Sequence, residues 1–141
     1  MFCSLKDRLA VINLLHEARG LDTFPVTLRK LEGAGDVESI KILNRNFEEE
    51  VYHVTTGVKW FKYLCEKEQQ VKTLERTEKT KEFACNDDKL YIETFLATVR
   101  KYYTGKPMKG PFNVEARNRA GLTEEWYMPL TQQLTTVIKC N

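Results

Sequence analysis

Between Ile40 and Leu64 the chain places apolar residues at alternating intervals of three and four. The series is Ile40, Leu43, Phe47, Glu50, Val54, Gly57, Phe61 and Leu64, with only Glu50 and Gly57 departing from large apolar character. That spacing draws one stripe along an α-helix that packs on other helices, whereas a strand would alternate every second residue. Asp36 is a suitable cap, and the pattern runs from Asp36 to about Glu68. At ~1.5 Å per residue such a helix spans about 50 Å, a length typical of bundles. The prediction is an all-α fold, a helical bundle with two long helices and shorter C-terminal ones. No convincing strand signal and no internal repeat competes with it.

The remaining elements follow from caps and breakers. Ser4 can cap a first helix that runs to about Gly20, with Leu5, Leu9, Ile12 and Leu15 on one face. Gly20 and Pro25 punctuate the chain, and Pro25 suits the first turn of a second, shorter helix ending at Gly33-Ala34-Gly35. Lys67 to Lys89 is dense in lysine and glutamate and reads as a solvated extension of the long helix or as a loop. Helical periodicity returns from Leu90 to Tyr103. A turn-rich loop, Gly105 to Asn113, leads to short helices at Val114–Ala120 and Thr123–Gln133.

With 141 residues the chain makes one domain around one core. A net charge of +2 gives little reason to expect nucleic acid, and no window has the ~18 apolar residues of a membrane span. The charged start, Met1 to Arg8, lacks the apolar core of a signal peptide, which points to a cytoplasmic protein. Cys3, Cys65, Cys85 and Cys140 lie far apart with no Cys-x-x-Cys, so they read as free thiols in a reducing compartment.

Chemistry enters at the carboxylate in the seam. Glu50 and His53 are one helical turn apart and face one side. A lone buried carboxylate costs several kcal/mol unless it is paired or binds a metal. A Glu-x-x-His pointing into a helical bundle is how two-metal carboxylate sites are built. An ion pair with a lysine or arginine is the structural alternative. Glu49 also shares a side with His53, but it is rotated ~100° from the seam. Glu17 follows the apolar face of the first helix and points inward or pairs with Arg19. His16 is rotated away from it. Gly105 to Gly110 lacks the Gly-Lys-Ser/Thr ending of a phosphate-binding loop. Its lysines, with Tyr102 and Tyr103, read as a solvated loop.

Several ordered strings in this chain resemble domain-of-unknown-function family 455 of the ferritin-like proteins. They are Glu17-Ala18-Arg19-Gly20-Leu21-Asp22, Gly35-Asp36, Glu50-Val51-Tyr52-His53-Val54, Gly57-Val58-Lys59-Trp60-Phe61 with Cys65, and Gly110-Pro111-Phe112-Asn113-Val114-Glu115-Ala116-Arg117. The resemblance covers roughly Leu5 to Leu122. It implies a ferritin-like four-helix bundle, in which single glutamates on two helices and Glu-x-x-His on the other two hold two metals. By motif, Glu17 is the single-glutamate ligand, and Glu50 with His53 is one Glu-x-x-His. Iron is the implied metal, with manganese as the alternative. The implied activity is that of an oxygen-handling di-iron oxidoreductase or hydroxylase, or of a protein derived from one.

The resemblance begins in what would be the third bundle helix, so only half of a two-metal ligand set is present. A missing N-terminal segment or a homodimer would complete the bundle; otherwise the site is lost. The contrasting expectation is a metal-free helical interaction protein or a truncated inactive form.

Overall fold

The computed structural model describes residues 4–75 and 88–132, and every regular element in them is helical. The first is a continuous helical run over residues 5–34, here α1. It joins an α-helical turn Leu5–Arg8, a π-helical segment Leu9–Glu17 and an α-helix Ala18–Ala34. Ser4 starts it with a capping box: its hydroxyl accepts from the Asp7 amide, and its own amide donates to the Asp7 carboxylate, both at 3.1 Å. In the π-segment the buried pairs Ala10–Val11 and Leu14–Leu15 recur every fourth residue, so the wider turn keeps them on one inward face.

The expected break between two helices at Gly20 and Pro25 does not occur, because both residues are accommodated within α1. Proline removes one backbone donor and frees the carbonyl four residues earlier. That carbonyl belongs to Leu21, and the Asn113 side-chain amide donates to it at 3.2 Å. Gly20 stays in the helix facing α2, where a Cβ would sit 3.2 Å from Glu50 Oε1. The true end is Gly35, at φ 66°. Its amide and that of Asp36 return to the Glu32 and Leu31 carbonyls.

Asp36 then accepts from the Ser39 amide at 3.0 Å and starts α2, Val37–Glu75. This helix runs past the expected Glu68. The rest of the lysine- and glutamate-rich stretch, residues 76–87, lies outside the described residues, as do Cys3, Cys85 and Cys140. Helix α3 is Asp88–Tyr102 and α4 is Val114–Arg119. The expected helix Thr123–Gln133 is shorter. It consists of α5, Glu124–Tyr127, and a 3₁₀ turn Met128–Leu130 in which Pro129 lacks a helical donor. The end of the expected span, from residue 133, lies outside the described residues.

Helices α1 and α2 form a long antiparallel hairpin, and the C-terminal elements cover one side of it. Phe61 of α2 meets Phe95 of α3 and Trp126 of α5 edge-on, both at 6.2 Å between ring centroids. Leu14, Leu15, Val54, Val99 and Leu122 complete a contiguous core. Within the seam Val54, Gly57 and Phe61 are buried, while Ile40, Leu43, Phe47, Glu50 and Leu64 are half-buried. No described helix is long and apolar enough to cross a membrane.

Candidate functional site

Two close approaches fix the register of the hairpin. At Gly57 an added Cβ would lie 2.7 Å from the Asn13 Cβ, so Asn13 packs directly on the glycine. Seven residues along α1, Gly20 meets Glu50, which is seven residues back along α2. The stacked rings of Phe24 and Phe47, 3.9 Å between centroids, continue the same antiparallel register. Glu17, four residues after Asn13, is therefore level with His53, four residues before Gly57.

Glu50 Oε2 lies 3.3 Å from His53 Nδ1. Of the two glutamates within reach of His53 in sequence, Glu50 makes this contact, while Glu49 accepts from Arg45 at 3.0 Å. The pair is not sealed in a core: the Glu50 side chain is 33% exposed and that of His53 is 55% exposed. The reason is positional. Glu50 sits beyond the reach of α3 and α5, on a stretch of hairpin whose outer side has no cover among the described residues. Glu17 is half-buried, and its carboxylate accepts from Asn13 Nδ2 at 2.8 Å. Thus one level of the hairpin carries two carboxylates and an imidazole. Among the described residues, no group of three or more His, Cys, Asp or Glu side chains is gathered closely enough to hold a metal ion. His16 is exposed and meets the Tyr103 ring edge-on.

A groove of about 350 Å³ opens beside the pair. Its α1 wall is Gly20, Thr23, Phe24 and Thr27; its α2 wall runs from Leu43 through Phe47 to His53. Sequence reasoning missed this groove and its neighbour Asn13. A signal for Asn13 existed, because an amide four residues before a glutamate faces it on a helix. It was harder to foresee that both glycines mark helix–helix approaches.

The other side of the same stretch holds a second polar cluster that composition did not reveal. Arg117 is fully buried, and its Nε and Nη2 donate to the two Asp22 oxygens at 2.8 and 2.6 Å. The Asn113 backbone amide donates to Asp22 Oδ1 at 3.0 Å. Arg117 lies over the Tyr127 ring at 4.4 Å and the Phe112 ring at 5.2 Å. The Phe112-Asn113 loop and α4 are therefore clasped to α1 five residues beyond Glu17. Farther along the hairpin, burial pushes the Cys65 thiol up to about 11, so this free cysteine stays protonated. Burial, then the hydrogen bond to Glu66, pushes Tyr91 up to about 12.

With this geometry in place, comparison with known proteins adds a family but no assigned activity. The model of the family described as "Protein of unknown function (DUF455)" matches residues 2–128. An "Uncharacterized protein" of Haemophilus influenzae (strain ATCC 51907 / DSM 11121 / KW20 / Rd) is 28% identical over 136 residues. The match takes in 94% of this chain and 40% of that relative, so the chain spans well under half of the relative's length. No solved structure matches.

Proposed function

Because the chain belongs to the DUF455 family of proteins of unknown function, we propose that its open hairpin face is half of a ferritin-like, carboxylate-bridged two-metal site. Glu17, Glu50 and His53 are the ligands. The observation that carries this reading is the Glu50–His53 contact beside the groove, with Glu17 level on the facing helix. Two carboxylates and an imidazole are half of the four carboxylates and two imidazoles that such a site uses. The rest come from outside the hairpin, either from a second copy or from an additional N-terminal segment. Mixed oxygen and imidazole ligation suits iron first and manganese second.

Bound iron would supply redox chemistry of the oxygen-handling oxidoreductase or hydroxylase kind. The chain's own residues would hold and orient it. Asn13 donates to the Glu17 carboxylate, and Gly20 leaves the room that the Glu50 carboxylate occupies against α1. The free Cys65 supports a reducing, cytoplasmic setting.

A second reading is a metal-free helical interaction protein. It is favoured by the exposure of Trp60 and Ile42 on α2 and by the ungathered donor set. Metal analysis after incubation with Fe(II) or Mn(II) separates the two. Binding that is lost in both Glu50→Ala and His53→Ala supports the metal site. A wild-type chain that folds and binds neither ion, under conditions where it self-associates, sinks it.

A further inference from the structure

The open face has a symmetry of its own. Ile42 is 62% and Trp60 53% exposed, although both are large and apolar. They are 18 residues apart on α2, which is about five helical turns, so they project in the same direction. Halfway between them lies Val51, the level of the Glu50–His53 pair. A twofold axis through that level, perpendicular to α2, brings Trp60 of one copy against Ile42 and Leu43 of another. Leu43 belongs to the α2 wall of the groove, and the stacked rings of Phe24 and Phe47 line it from the two helices. An indole fits within about 350 Å³. The same operation sets Glu49 of each copy, which its own Arg45 also holds, level with His53 of the other, so acid meets imidazole on both sides of the axis.

We propose that a second copy of this chain packs α2 antiparallel on α2 across this face. Each Trp60 fills the other copy's groove, and the two Glu17/Glu50/His53 sets meet at the axis. The packing rests on the groove and the exposed stripe. Its consequence for metal rests on the half-site reading above. A self-complementary patch is what a closed dimer requires, and a central tryptophan seated in a pocket is a frequent energetic anchor of interfaces.

Sedimentation equilibrium of the 141-residue chain at micromolar concentration tests it. The expected mass is twice 16.5 kDa. Trp60→Asp and, independently, Ile42→Glu should each weaken association at least tenfold while leaving far-ultraviolet circular dichroism unchanged, since both side chains are exposed in the single chain. Val114→Glu, exposed on α4 away from this face, should leave the dimer intact. A wild-type monomer overturns the proposal, and so does a dimer that survives both Trp60→Asp and Ile42→Glu. The failures are distinguishable. A metal-free dimer contradicts the metal site and leaves the packing standing, whereas a monomer that binds metal through Glu50 does the reverse.

Discussion

On one side of the α1–α2 hairpin a guanidinium is fully buried, held by both oxygens of Asp22 and overlaid by Phe112 and Tyr127. On the other side a histidine, five residues along α2 from the level of Asp22, and a tryptophan two turns beyond it each stand more than half exposed. Both sides carry charged groups, yet only the first has the cover that makes a charge pair costly to disturb. The covered side is finished by this chain's own α3, α4 and α5. The open side carries donors and apolar rings that nothing among the described residues covers. The difference separates what stabilises this fold from what it offers to a ligand or partner.

Breaking the clasp should have the largest effect. Asp22→Ala leaves the buried Arg117 without its counter-ion and should cost about 3–5 kcal/mol in urea unfolding. A loss below about 1 kcal/mol would mean that water reaches Arg117 and that the covered side is less closed than its burial indicates. Gly57→Ala comes next. The new methyl would be driven into Asn13 and Leu14, and overpacking of this kind costs about 1–3 kcal/mol. Because Asn13 orients Glu17, this variant should also weaken metal binding, which joins the two sides through one crossing point.

The covered side also sets an alkaline limit. Cys65 and Tyr91 keep their protons to about 11 and about 12 in the folded chain, against 9.0 and 10.0 ordinarily. The unfolded chain therefore loses these protons first. The stability they contribute is complete below about pH 9 and falls as pH rises toward 12. Cys65→Ala with Tyr91→Phe should flatten that decline, as followed by thermal unfolding, while His53→Ala should not. The smallest effect belongs to the open side. Glu50→Ala removes a partly exposed pair and should change stability by no more than ~0.5 kcal/mol. A loss of several kcal/mol would show that Glu50 is a core residue after all.

The long helix was legible in sequence because its stripe spans seven turns and one competing pattern, alternation, is absent. The helical class followed. Pro25 misled because its helix-breaking effect is local, whereas its remedy, Asn113, lies about ninety residues away. Glu50 and His53 could be paired from their spacing on one helix. Their exposure could not be read, because the stripe carries no record of how far α3 and α5 extend over it. Asp22 and Arg117 are unremarkable singly; only the fold brings them together. The π-segment escaped for a similar reason, since Leu9 to Glu17 suits either kind of turn until packing selects one.

The half-site reading is tested most directly by native mass spectrometry of the chain after anaerobic loading with Fe(II). One spectrum reports both the number of chains and the metals they carry. The predicted species is a dimer holding two metal ions, replaced by metal-free protein in Glu50→Ala and His53→Ala. A metal-free wild-type dimer would contradict the site, and a wild-type monomer would contradict the face that is proposed to complete it.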